Sequence, residues 1–333
     1  MVLPIPVGKL PAVLLHELLG SLPPLPPEVR LGPRVGEDAC AIDVCAGTLV
    51  VATDPVTLTG AGVGRHAVLV NANDVAVMGV RPRWFLAAVL LPEGTGEAEV
   101  REVFESLRAG AEEAGVALVG GHTEVTAAVR QPVVVGQMLG IAADGRFVAT
   151  GGARPGDAIV QAGPAPVEAA AVLAAEASER LASLDVATLA RARAALREPG
   201  ISVVEAALAA TALGATALHD PTEGGLATGL AELALASGVR IVVDPERVLW
   251  FEPGCAVCRM LGADPWGALA SGALLAAFPA ERAAAACEAL ARGGTPARTI
   301  GTVEAGSGVV LRDGSALPEF LRDEVARTLT PAP

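Results

Sequence analysis

The chain has 333 residues, 52% of them hydrophobic and 18% charged, with a formal net charge of −13. That length suits two domains, and the hydrophobic share supports large cores and excludes a disordered chain. The acidic balance argues against nucleic-acid binding, which needs clustered Lys and Arg, and no apolar run reaches the roughly 18 residues of a membrane span.

In chain order, residues 10–20 read as a short helix and Leu22 to Pro27 as a proline-rich arm. The β-branched run from Gly47 to Thr53 predicts a strand. Between Gly64 and Gly79, the residues Val68, Ala72, Val75 and Gly79 recur on one helical face. Trp84 to Leu91 is an apolar strand, and Glu97 to Ala114 is an amphipathic helix whose early acids suit the helix dipole. Val116 to Val119 reads as a short strand ending in Gly120-Gly121, and Pro132 to Ala142 as a long strand. This alternation predicts an α/β (α+β) domain over residues 1–150. Ala153 to Asp157 form a turn into the strand Ala158 to Ala162, within a second α+β domain over residues 151–333. Its helices are expected near 166–176, 185–197, 202–213, 224–237, 280–292 and 317–329, and its further short strands near 239–243, 273–278 and 296–303.

Five cysteines occur, Cys40, Cys45, Cys255, Cys258 and Cys287, and their odd number and irregular spacing argue against a disulfide framework. Cys255 and Cys258 form a lone CxxC without companion zinc ligands or a thioredoxin-type context, so they read as buried structural residues. The N-terminus has no basic leader, and Lys9, His16 and Glu17 interrupt its apolar stretch, so no signal peptide is expected and the cytoplasm is the default.

Short polar motifs recur where strands or apolar runs meet turns and helices: Gly36-Glu37-Asp38, Thr53-Asp54-Pro55, Asn71-Ala72-Asn73-Asp74, Gly120-Gly121-His122-Thr123-Glu124 and Asp220-Pro221-Thr222-Glu223-Gly224-Gly225. Carboxylates gathered by a fold suit a divalent cation that bridges polyphosphate oxygens. Each motif also has a plainer reading. Asp38 can be a solvated turn acid, Asp54 an Asx turn or cap, and His122 a capped turn histidine. Asp220 or Thr222 can be a helix N-cap. Asn71, Asn73 and Asp74 carry more weight, because they lie in a helix whose other residues look buried all round, where polar groups are costly unless bonded. Gly120-Gly121 would permit close backbone approach to a ligand, and the helix start after Asp220 would favour an anion. No P-loop or G-x-G-x-x-G fingerprint is present, so a bound nucleotide would be held through metal and carboxylates.

In this order the motifs resemble those of the AIR synthase (PurM-like) superfamily. The carrying stretches are Gly64 to Gly79 followed by Arg81-Pro82, Gly120 to Val125, and His219 to Leu226, the last most similar to the HypE branch of hydrogenase maturation factors. The resemblance implies an N-terminal domain that pairs with a second copy into a dimeric, barrel-like sheet, a C-terminal α+β domain, and an ATP site near the dimer interface. It implies Mg²⁺ held by Asp38, Asp54, Asp74 and Asp220. Asp74, His122 and Glu124 would be the catalytic set, and Arg65, Asn71, Asn73, Gly120, Gly121, Thr123, Thr222 and Gly224 would line the nucleotide. The implied chemistry activates an amide-type oxygen with the γ-phosphate of ATP.

Two departures from the HypE pattern stand out. HypE ends in a cysteine that carries a carbamoyl group, whereas this sequence ends Thr330-Pro331-Ala332-Pro333 and its last cysteine is Cys287. The self-modifying step is therefore not expected in that form, and a separate substrate is. His122 also stands where HypE carries an acid. The other readings are a non-catalytic ATP-binding scaffold or sensor dimer, a small-molecule kinase like thiamine monophosphate kinase, and a metal-dependent hydrolase that uses the same carboxylates.

Overall fold

The computed structural model describes residues 12, 13, 16, 27–32, 34–57 and 62–329. Apart from a few positions, the helix expected over 10–20 and the proline-rich arm lie outside the described residues. The chain divides into two compact units, one holding Leu25–Gly32 and Asp38–Phe147, the other holding Pro33–Glu37 and Val148–Pro333.

The first unit carries a six-stranded sheet in the order β1-β2-β3-β6-β4-β5. Its strands are β1 (Val29–Leu31), β2 (Cys40–Val44), β3 (Gly47–Val56), β4 (Pro82–Pro92), β5 (Ala117–Thr126) and β6 (Val133–Ala142). The pairs are antiparallel except β4–β5, whose parallel pairing requires the crossover supplied by the intervening helix. Helix α1 (Val63–Val77) is buried at every residue except Arg65, as its continuous Val, Ala and Leu content requires. Helix α2 (Glu97–Ala114) buries only Val103, Leu107, Gly110 and Ala111, a spacing that makes one stripe. At its start, the Glu99 carboxylate accepts the Gly96 N–H at 2.7 Å.

Even-numbered residues of β3 and β6 and odd-numbered residues of β4 point to the side covered by α1. Val50, Ala52, Val134, Met138, Phe85 and Val89 are buried there. The opposite face is also apolar, with Leu49, Val51, Trp84, Leu86, Ala88, Leu90, Val135, Leu139 and Ile141 all partly exposed.

The second unit has its own six-stranded sheet, in the order β12-β9-β11-β7-β10-β8. It comprises β7 (Asp157–Ala162), β8 (Ala217–His219), β9 (Arg240–Val243), β10 (Leu274–Pro279), β11 (Ala297–Glu304) and β12 (Gly308–Leu311). The helices are α3 (Val167–Glu176), α4 (Val186–Ala194), α5 (Val204–Ala212), α6 (Gly225–Ser237), α7 (Glu252–Leu261), α8 (Ala280–Arg292) and α9 (Glu324–Leu329). Leu226, Leu230 and Leu233 of α6 recur at helical spacing and join Ile159, Ile241, Leu275 and Ile300 of the sheet in one core. Glu37 belongs to this unit: its carboxylate accepts the N–H groups of Thr150 at 3.1 Å and Gly151 at 3.2 Å.

Three expectations are corrected. The helix expected over 317–329 forms only as α9, because Asp323 caps it and Pro318 precedes it. Residues 252–261, which carry Cys255 and Cys258, form α7, a helix missed beside Pro253 and Gly254. The strand expected to end at Val119 runs on as β5 to Thr126, since its ladder to β4 continues through both glycines. A Cβ at Gly121 would overlap the Ala87 carbonyl oxygen, so this strand pairing requires a glycine there.

Candidate active site

In the first unit the site is built where β3 meets α1. Asp54 lies on the α1-side face of β3, opposite Gly136 of β6, which in turn stands opposite Ala87 of β4. Asn71 reaches across from α1. Its Oδ1 accepts the Asp54 N–H at 2.9 Å, while its Nδ2 donates to the Asp54 carbonyl at 3.2 Å and to the Ala67 carbonyl at 2.8 Å. Gly136 makes the space: a Cβ there would overlap Asn71 Nδ2 and stand 2.7 Å from Phe85 Cε2. Asp74 follows Asn71 by one turn on the same side of α1 and is only 6% exposed. Asp38 precedes Cys40, which pairs with Val51, so it lies at the open end of the β2–β3 hairpin, from which β3 runs on to Asp54. The sequence singled out these acids as a group. It did not reveal that Asn71 bonds both the N–H and the carbonyl of Asp54 and so acts as a brace.

Other expected site residues are placed elsewhere. Asn73 is fully buried but two residues on from Asn71, turned to another side of α1. Arg65 faces α2, where Nε and Nη2 donate to Glu113 at 2.6 and 2.7 Å. The guanidinium is thus ion-paired with Glu113. His122 and Glu124 stand opposite Ala88 and Leu90, on the face of the sheet away from α1, with side chains 68% and 49% exposed and 3.3 Å apart. Within one chain they do not join Asp74, because a strand alternates its side chains between faces. Gly120 and Thr123 lie on the same exposed edge strand.

In the second unit, Asp220 is 2% exposed directly after β8. The preceding His219 pairs with Glu232 of α6 through Nε2 and Oε2 at 3.0 Å. The Thr222 carbonyl accepts Gly225 N–H at 3.1 Å and Ala270 N–H at 3.3 Å, which closes the turn into α6. Gly224 has a left-handed φ of 79°. The expected anion contact of Gly224 is already occupied inside the chain: its N–H donates to the Asp323 carboxylate at 2.7 Å. Sequence reasoning missed Asp323, although an aspartate just before the helical run Glu324 to Leu329 is a capping signal.

Burial pushes the Asp323 carboxyl up from its ordinary 3.8 to about 7, against the pull of the Gly224 and Val325 N–H donors and with Glu223 and Glu168 adding to the rise. The folded chain therefore keeps this proton to a higher pH than the unfolded chain. The resulting stabilisation is present below about pH 4 and lost as pH rises to about 7.

Burial likewise pushes the thiols of Cys255 and Cys258 up to about 11 and about 12, which marks them as inert core groups, as expected. None of the described helices is long and apolar enough to cross a membrane.

Comparison with known proteins agrees with this architecture. Residues 36–142 match the family described as AIR synthase related protein, N-terminal domain, and residues 154–314 match AIR synthase related protein, C-terminal domain. The chain belongs to the AIR synthase-related family. Within it the chain is HypE-like. It is 34% identical over 281 residues to the carbamoyl dehydratase HypE of Cupriavidus necator, covering 81% of this chain and 77% of that protein. To the thiamine-monophosphate kinase of Pyrococcus abyssi it is 28% identical over 298 residues, covering 86% and 88%. Among solved structures, the hydrogenase maturation protein HypE in complex with ATP superposes with a TM-score of 0.72 at 28% identity, over 88% of this chain and 92% of that one. AaThiL complexed with AMPPCP and TMP shares the fold, with a TM-score of 0.71 at 21% identity over 93% and 94% of the two chains.

Proposed function

We propose that this protein is an ATP- and Mg²⁺-dependent enzyme that activates an amide-type oxygen by phosphoryl transfer. The observation that carries this reading is the brace between Asn71 and the Asp54 backbone, which fixes two acidic motifs of the first unit beside one another. The donors there are hard oxygen groups, the kind Mg²⁺ takes. Asp38, Asp54 and Asp74 would hold the ion. Magnesium would neutralise charge on the transferring phosphate. Asn71 holds the Asp54 backbone in place, and the burial of Asp74 strengthens its field.

In this chemistry the substrate oxygen takes the γ-phosphoryl group as ADP leaves, and loss of phosphate then completes a dehydration. The similarity to HypE carbamoyl dehydratases favours a carboxamide substrate over a kinase acceptor and supports a role in hydrogenase maturation. The test is calorimetry of ATP binding with and without Mg²⁺, followed by phosphate release with and without added carboxamides. Mg²⁺-dependent binding with stimulated release is expected. Absence of nucleotide binding would overturn the reading, and binding without any turnover would favour a scaffold or sensor.

The same proposal includes a homodimer. A sheet apolar on both faces needs a cover on each, and α1 covers only one. A second copy laid against Leu49, Val51, Trp84, Leu86, Val135, Leu139 and Ile141 would bury the other face and close the two open sheets toward a barrel. His122 and Glu124 project on that side and would then be interface groups. The wild-type protein is expected to scatter light as twice its 33.3 kDa chain mass. Leu139→Glu, between Val51 and Trp84, is expected to shift it to monomer. A wild-type monomer at micromolar concentration would contradict the dimer.

A further inference from the structure

The link between Asp323 and the turn before α6 joins residues 99 positions apart. Asp323 lies beyond residues 154–314, where the family model of the second unit matches. Its side chain is buried, and each carboxylate oxygen has its own donor at 2.7 Å, Gly224 N–H for Oδ2 and Val325 N–H for Oδ1. One oxygen caps α9, and the other reaches into the segment that carries Asp220 and Thr222. The neighbouring Glu324 adds a second tie, accepting the Asp264 N–H at 2.8 Å. Asp264 in turn caps Trp266, whose carbonyl oxygen packs where a Cβ on Gly225 would stand. The turn Asp220–Gly225 is thus tied directly to the Asp323 cap of α9, while Glu324, the first residue of α9, fixes the neighbouring Asp264–Trp266 segment that packs on Gly225.

We propose that Asp323 is a positioning residue for the reaction: by holding the Gly224 N–H, its carboxylate sets the conformation of the Asp220–Gly225 turn and so the placement of Asp220 and Thr222. The proposal rests on the ATP-dependent reading above for its catalytic consequence, though not for its structural one. An aspartate buried at this depth is a costly way to cap a six-residue helix. A cap at the surface would stabilise α9 as well, whereas the buried carboxylate also occupies the anion position at the start of α6. The ionised form is the stronger acceptor. The other groups that bear on this carboxyl are Glu223 from the turn, Glu168 from α3 and Cys258 from α7, with Glu324 beside it in sequence. All of these are acidic or neutral; the cations nearest in sequence are Arg322 and Arg327, the latter paired with Glu324.

The test compares the intact wild-type protein with Asp323→Ala and Asp323→Asn in two measurements. The first is hydrogen exchange at Gly224 and Gly225 without nucleotide, corrected for intrinsic rates, between pH 6 and 8. Loss of a charge-assisted hydrogen bond is expected to speed local opening about tenfold or more in Asp323→Ala, with strands β7 and β10 unaffected. For an opening that breaks only the Gly224 bond and leaves Asp323 buried, protection of Gly224 in the wild type should weaken as pH falls through about 7, because that bond favours the ionised form, and in Asp323→Asn this pH dependence should vanish. The second is steady-state Mg²⁺·ATP turnover, in which kcat should fall about tenfold or more at little change in KM, with partial recovery in Asp323→Asn, which keeps one oxygen acceptor.

Unchanged exchange at Gly224, or changed exchange with unchanged kcat, would overturn the positioning role. If the alanine variant does not fold, the asparagine variant decides on the same two readouts. A wild type that turns over no ATP, but whose Gly224 protection still depends on Asp323, would sink the enzymatic reading and leave the structural clamp standing.

Discussion

Asp74→Asn is expected to lower Mg²⁺-dependent ATP turnover by at least about a hundredfold, the scale of losing one preorganised electrostatic group. The substitution keeps the shape of the side chain and removes its charge, so its effect reads electrostatics and not packing. Asp74 is 6% exposed in a helix whose following residues, Val75, Ala76 and Val77, are fully buried. A carboxylate at such a place is expensive to desolvate. Thermal melting supplies the control. The melting temperature is expected to stay within a few degrees of the wild type, because replacing a buried charge by a neutral isostere relieves desolvation as it removes attraction. Turnover within about threefold of the wild type would sink the assignment. A melting temperature that collapsed together with activity would assign Asp74 to the fold instead.

Gly136→Ala is expected to destabilise the first unit by about 3–5 kcal/mol, combining overpacking with lost hydrogen bonds. The added methyl would overlap Asn71 Nδ2 and come within 2.7 Å of both Asn71 Cγ and Phe85 Cε2. Phe85 is fully buried, so it has nowhere to retreat. Asn71 would have to swing off the Asp54 backbone and give up bonds of 2.9 and 3.2 Å at a part-buried site. Urea denaturation measures the loss, and a change below about 1 kcal/mol would show that the sheet can yield there. Any folded fraction should also turn over less ATP, since the brace that fixes Asp54 beside α1 would be broken.

Much of the local structure was legible. The helices at Glu97–Ala114 and Ala280–Arg292 form at the residues their periodicity predicts, and the acids that start them sit where the dipole wants them. Helix α1 was legible for a different reason: an uninterrupted apolar run with Asn71, Asn73 and Asp74 inside it has to be buried with its polar groups bonded, and it is. Strand β5 was read too short because glycine is a poor strand former in isolation, and pairing with β4 outweighed that preference. Helix α7 was missed because Pro253 and Gly254 look like breakers, although proline is well tolerated in the first turn of a helix.

The sequence alone determined which residues are acidic, which runs are apolar and with what period, and hence the α/β class and the family resemblance. These properties depend on neighbours within a turn or two of the chain. Tertiary structure decided on which face of a sheet each polar group lies. It set His122 and Glu124 on the side away from Asp74, gave Arg65 to Glu113, and brought Asp323 to Gly224. Such outcomes turn on strand register and on which distant segment covers a buried N–H. A slip of one residue would reverse them without changing any local propensity.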